Sequence, residues 1–190
     1  MAIYVTSDAH GHVRALDEAL SKISLASDDT LYVLGDMIDR GPDPVGVIKL
    51  VRSLPNAHVL KGNHEQIMLD AIIGQDPLDA ETWDINGGWT TRQQLNDMEF
   101  EAYEELVRWM ATLPLYAVAE TDERPFLLVH AGIETEAARA FLLEHGVDCA
   151  DGAGAVGADR ELLQQMLAVQ SSDDLLWIRH GYWDAPTGLL

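Results

Sequence analysis

Four short clusters of polar residues carry the chemistry in this chain. They are Asp8 with His10, Asp36 with Asp39 and Arg40, Asn63 with His64, and His130. Each follows a short apolar run, at residues 3–5, 31–34, 57–60 and 126–129. Carboxylate, amide and imidazole donors without a thiolate suit catalytic manganese, iron or zinc better than a closed structural zinc site. Asp8, His10, Asp36, Asn63 and His130 offer more donors than one catalytic ion normally takes from protein. They point to two divalent ions about 3.5–4 Å apart with one carboxylate shared between them. Asp36, on the central run, is the natural bridge.

Taken singly, each donor has an ordinary reading. Asp8 could cap a helix, Asn63 could serve a turn, and His10 and His130 could be a loop and a core histidine. The repetition of one chemistry at four strand ends is what argues for a site.

The elements that must position these groups alternate. The runs at 3–5, 31–34 and 57–60 read as strands, the second apolar enough to be buried on both faces. Between them, Val13, Leu16, Ala19, Leu20 and Ile23 fit one helical face, and Val45, Ile48, Leu50 and Val51 another, with Pro42 and Pro44 near its start. Alternating strand and helix predicts βαβ units and a mostly parallel sheet, with ligands outside the carboxyl ends of the strands. Asp8 and His10, two apart in an extended segment, then point the same way. A helix is expected over 66–73 and another over 100–112. An irregular stretch over 76–91 holds Trp83 and Trp89. Paired strands follow at 114–119 and 125–130, then helices near 134–144 and 159–169.

The chain has 190 residues, so one domain over 1–190 with a real core is expected. The formal net charge of −20 argues against nucleic-acid and membrane-surface partners, which need basic faces. Cys149 is the only cysteine, the N-terminus lacks a signal peptide, and no apolar stretch is long enough to span a bilayer. A cytoplasmic location is expected.

Asp8-Ala9-His10-Gly11, Gly35-Asp36 with Asp39-Arg40-Gly41, Gly62-Asn63-His64-Glu65 and His130-Ala131-Gly132 together resemble the signature of metallophosphoesterases of the serine/threonine phosphoprotein phosphatase family. The short bacterial and phage-type members and their diadenosine tetraphosphatase relatives are the most similar in spacing. The resemblance implies an α/β fold with a β-sandwich core flanked by helices in four layers (α/β/β/α). It also implies one metal on Asp8, His10 and Asp36 and a second on Asp36, Asn63 and His130, most simply Mn2+, with iron or zinc as alternatives. Arg40 and Arg179 would hold the substrate phosphate. The metals would supply the attacking hydroxide, His64 would act as general acid, and Asp39 would orient it. His64 is not taken as a ligand, because neighbouring residues in extended chain diverge.

The function implied is metal-dependent hydrolysis of a phosphorylated protein, peptide or small phosphoester. One alternative is symmetrical hydrolysis of diadenosine tetraphosphate. Another is a weakly active or inactive metal-binding regulatory fragment. Asp39 before Arg40, and Glu65 after His64, lean toward the protein-phosphatase branch. Members of the family continue to a Gly-His-Thr stretch that this sequence does not reach. The resemblance therefore implies a domain incomplete at its C-terminus and missing its last strands, and an open sheet edge through which a second copy could pair.

Two other motifs lack the context that their chemistry needs. Gly152-Ala153-Gly154-Ala155-Val156-Gly157 fits a dinucleotide fingerprint, but no buried strand precedes it, and a loop over 148–157 is the better reading. Cys149 lacks the arginine six residues on that a cysteine phosphatase needs, since that residue is Ala155.

Overall fold

The computed structural model describes residues 1–74, 76–122, 124–147 and 158–178. The chain divides into two compact units, Met1–Pro114 and Leu115–Leu190.

The first unit opens with strand β1 (Ile3–Thr6), helix α1 (Val13–Ile23), strand β2 (Thr30–Val33), helix α2 (Pro44–Ser53) and strand β3 (Ala57–Val59). The three strands form a parallel sheet in the order β1-β2-β3, as the alternating pattern predicts. Thr6 pairs with Val33, and Val33 with Val59. The three carboxyl ends are therefore level. The residues that follow them, Ser7-Asp8, Gly35-Asp36 and Gly62-Asn63, leave the sheet along one edge. Pro44 at the first helical position and the Asp43 side chain, which accepts the Gly46 N–H, start α2.

β2 differs from the expected strand buried on both faces. Leu31 and Val33 are buried while Tyr32 is half-buried, so the strand alternates. On the half-buried side Tyr32 stacks on His58 of β3, 5.2 Å between ring centroids.

Glycine is required where the ends of β2 and β3 meet. A Cβ at Gly35, whose φ is +86°, would overlap the backbone N of Gly62. A Cβ at Gly62 would overlap the Asp36 side chain and backbone N. The close approach of these two turns sets Asp36 beside Asn63 and His64.

After β3 come helices α3 (Asn63–Ile73), α4 (Pro77–Ile85), α5 (Trp89–Asn96) and α6 (Phe100–Ala111). The stretch read as irregular over 76–91 is thus largely helical. Asp76 caps α4 through the Leu78 N–H with Pro77 behind it, and the Asn86-Gly87-Gly88 turn leads into α5. The signals were present, but the two helices are 9 and 8 residues long, too short for their apolar positions to show a period. The core of this unit gathers Met37, Ile38, Val47, Val51, Met68 and Met110, all fully buried. Burying each such side chain is worth roughly 1.5–3 kcal/mol.

The second unit pairs strands β4 (Tyr116–Glu120) and β5 (Pro125–Val129) antiparallel, with Tyr116 opposite Val129. Helices α7 (Thr135–Glu144), α8 (Arg160–Ala168) and α9 (Ser172–Trp177) follow, capped by Glu134, Asp159 and Ser171. Val118, Ala138, Leu142, Met166, Leu167 and Leu175 form its core. Among the described residues no helix is long and apolar enough to cross a membrane.

Candidate metal centre

The turns after β1 and β2 are zipped together by backbone. Asp8 N–H donates to Gly35 O (3.2 Å), His10 N–H to Asp36 O (2.9 Å) and Gly11 N–H to Met37 O (2.8 Å). Neither turn is extended. Asp8, His10, Asp36, Asp39 and Arg40 all have positive φ, between 40° and 68°. Among the described non-glycine residues only Ser24 shares that conformation. Each left-handed residue costs of order 1–3 kcal/mol and persists where the surroundings over-determine it. Asp8 and His10 therefore converge through two left-handed bends and not through strand alternation, which corrects the sequence argument while keeping its result.

His10 and His64 meet edge to face, 4.7 Å between ring centroids. Each ring is pinned on its Nδ1 side. His10 Nδ1 lies 2.8 Å from the Ile38 carbonyl, which can only accept, so Nδ1 carries the hydrogen. His64 Nδ1 lies 2.7 Å from Asp39 Oδ2. Both rings thus turn Nε2 inward as an acceptor. Asp36 Oδ2 lies 3.6 Å from His10 Nε2 and 4.0 Å from His64 Nε2. Its Oδ1 accepts the His64 N–H at 3.0 Å.

One ligand atom from each of His10, Asp36 and His64 falls within 4.8 Å of the others, and all three residues are buried. Asp8 Oδ1 is 3.9 Å from His10 Nε2, on the exposed rim. Burial holds His10 below the usual histidine range, opposed by the Ile38 carbonyl and the Asp36 charge. An imidazole kept neutral, with its far nitrogen bonded to a carbonyl, is the form that binds a metal ion. The donor set and its support fit a divalent cation.

Arg40 closes the site. Its Nη1 donates to His10 Nε2 (3.0 Å) and its Nη2 to His64 Nε2 (2.7 Å). Its backbone N–H donates to the Gly87 carbonyl (3.0 Å). The guanidinium therefore addresses the point on which the histidines converge.

Asn63 and His64 are the first two residues of α3, not extended chain. Extended-chain geometry therefore does not keep His64 away from the ligands, and its ring stands with His10 and Asp36 in the group able to hold a metal ion. At a helix start neighbours are rotated by about 100°, and Asp39 fixes where His64 goes. Asn63 is buried at the same turn. His130 lies immediately after β5 in the second unit, where the next residue, Ala131, donates its N–H to Leu175 O (2.9 Å). Arg179 and the loop 148–157 lie outside the described residues.

Three residues are more important than their sequence context indicated. Glu65 is fully buried and accepts the backbone N–H groups of Asp36, Met37 and Gly62, each at 2.8 Å. Burial, then the Asp36 charge, push its carboxyl up from the usual range, against the pull of those three donors. Trp83 and Thr91 both reach Asp39. The available signal for Glu65 was its place at the third helical position after Gly62, where a Glu bonds back to the cap. The only signal for Trp83 and Thr91 was their position around the Asn86-Gly87-Gly88 turn.

The family model described as Metallophos, calcineurin-like phosphoesterase, matches residues 1–184. A symmetrical bis(5'-nucleosyl)-tetraphosphatase of Erwinia tasmaniensis is 31% identical over 136 residues, which is 70% of this chain and 45% of that protein. The protein of the same description from Proteus mirabilis is 32% identical over 139 residues, with the same coverage. The match thus spans less than half the length of these relatives. A solved structure of a protein serine/threonine phosphatase from Saccharomyces cerevisiae superposes with a TM-score of 0.52 at 17% identity, covering 84% of this chain and 47% of that one. That likeness concerns the fold alone.

Proposed function

The chain belongs to the calcineurin-like phosphoesterase family, and from that premise we propose that it hydrolyses a dinucleoside tetraphosphate symmetrically, using bound divalent metal ions. The observation that carries the chemistry is the convergence of His10, Asp36 and His64 on one point faced by Arg40. The support for the substrate is the relatives at 31% and 32% identity.

In this reading Asp8, His10 and Asp36 hold one ion, and Asp36 with Asn63 serves a second. His130 keeps the ligand role that its motif implies, and Arg179 its phosphate role. The ions, when bound, would activate water and offset the phosphate charge; manganese is the first choice. Arg40 forks onto two phosphate oxygens, as a planar guanidinium can. His64 is the general acid: with Arg40 turned onto the phosphate, Nε2 takes a proton from water, and the imidazolium gives it to the oxygen that leaves phosphorus while Asp39 holds Nδ1. The P–O bond to the leaving group breaks as the bond from water forms.

A second reading, hydrolysis of phosphoserine or phosphothreonine, is favoured by the buried Asp39–His64 pair itself. A nucleoside diphosphate leaves readily without a proton. A serine alkoxide does not, so an acid held this firmly is of most use with such a substrate. Direct competition decides between them. The metal-loaded chain, given diadenosine tetraphosphate and a phosphoserine peptide together, is expected to release two molecules of ADP before inorganic phosphate. Phosphate release from the peptide with the dinucleotide untouched would replace the first reading by the second.

A further inference from the structure

Asp39 is gripped by side chains far away in the sequence. Its Oδ1 accepts the Thr91 hydroxyl at 2.6 Å and the Trp83 indole N–H at 3.0 Å. Its Oδ2 accepts His64 Nδ1–H at 2.7 Å, with the same indole N–H 3.2 Å away. The Thr91 hydroxyl also accepts the backbone N–H of Asp39 at 2.9 Å. One threonine therefore holds both the backbone and the carboxylate of a residue whose φ is +68°. Asp39, Trp83 and Thr91 are all buried.

Three donors from three directions define the plane of a carboxylate. An indole has a donor and no acceptor, so Trp83 cannot invert its role. Its ring is covered on the outside by the Arg92 guanidinium, 4.9 Å from the ring centroid, which is itself paired with Asp84. Trp83 is also the one buried side chain of α4, whose Leu78 and Ile85 are exposed. The same segment bonds Arg40 through the Gly87 carbonyl. The α4–α5 stretch thus fixes two consecutive residues, Asp39 and Arg40.

We propose that Trp83 and Thr91 are positioning residues for phosphoester hydrolysis: they lock the Asp39 carboxylate so that it pins His64 Nδ1 and aims Nε2 at the leaving-group oxygen. The inference rests on the proposed role of His64. Without the two donors, the carboxylate would be free to rotate about its Cβ–Cγ bond and share Oδ2 differently, and the imidazole would lose its in-plane partner.

Trp83→Phe keeps the ring and removes the donor; Thr91→Val keeps the shape and removes the hydroxyl; Thr91→Ser restores it. Two measurements on the full chain test the idea. The first uses the metal-free protein and the proton resonance of His64 Nδ1–H, assigned by its absence in His64→Asn. It should exchange slowly in the parent, be lost to exchange in Trp83→Phe and Thr91→Val, and return in Thr91→Ser. The second compares phosphoserine with 4-nitrophenyl phosphate, whose leaving group needs no proton. Turnover should fall about 10-fold or more on phosphoserine and by less than about 3-fold on the aryl ester, with KM unchanged, given the size of general-acid effects.

A resonance unchanged in both variants overturns the proposal, and so do equal losses on the two substrates. If the parent hydrolyses neither ester, release of ADP from diadenosine tetraphosphate decides whether the functional reading fails, and the resonance alone decides the positioning. If Trp83→Phe does not fold, Thr91→Val against Thr91→Ser decides it.

Discussion

Glu65 Oε2 accepts the backbone N–H of Asp36 at 2.8 Å while Oε1 accepts that of Met37 at 2.8 Å. A buried glutamate on α3 thus holds in place the turn that carries the central carboxylate. The same Oε2 accepts the Gly62 N–H, so one side chain joins the ends of β2 and β3. Glu65→Ala would leave three buried N–H groups without partners, and unpaired buried donors cost about 1–3 kcal/mol each. Losses of at least about 3 kcal/mol are expected in urea unfolding. Glu65→Gln, which sets an amide N–H2 against a backbone donor, should lose roughly 1–3 kcal/mol.

Gly62→Ala should injure the site by a different route. The added methyl would overlap Asp36 from the backbone side, and overpacking costs about 1–3 kcal/mol. Calorimetric titration with Mn2+ should show weaker binding together with a lower melting temperature. Unchanged affinity would mean that Asp36 is not held by this contact.

How much of this was legible in the sequence depended on the range of the signal. The βαβ order and the residues at the strand ends showed because apolar runs and polar clusters are local patterns. Helices α4 and α5 did not, because in so few residues capping chemistry outweighs periodicity. Nor did the Asp39–Trp83 and Asp39–Thr91 bonds, which span 44 and 52 residues. Asp8 and His10 come together through left-handed bends and not through strand alternation. Their left-handed bends are set by hydrogen bonds to the turn after β2, which no window around residue 8 contains. The glycines at 35 and 62 looked like turn formers; their requirement lies in each other's proximity.

The His10 contribution to the stability of the metal-free protein should fall as pH drops below about 6.5, the ordinary histidine value, while the raised carboxyl of Glu65 acts in the opposite sense. The sign follows from His10, whose folded pKa is lowered, chiefly by burial. The unfolded chain takes up the proton first, so the stability present above that pH is lost on the acid side. Urea midpoints measured from pH 8 to pH 5 should show the slope, and His10→Asn should flatten it.

Arg40→Ala is expected to separate fold from function. The side chain is exposed, so unfolding should change by no more than about 1 kcal/mol. Loss of the charged group proposed to hold the transferred phosphate should lower kcat/KM by about 100-fold or more. Arg40→Lys should recover little of it, since an ammonium cannot fork across two oxygens.

The most direct test of the metal-dependent mechanism is hydrolysis of diadenosine tetraphosphate and of 4-nitrophenyl phosphate by the parent chain and by Asp36→Asn. Both proteins are first stripped with chelator and then titrated with Mn2+, and bound metal is counted per chain. The account predicts no turnover in the stripped parent, turnover restored with up to two ions bound, and loss of both the metal and the activity in Asp36→Asn. Full activity in Asp36→Asn, or hydrolysis that survives the chelator, would contradict it.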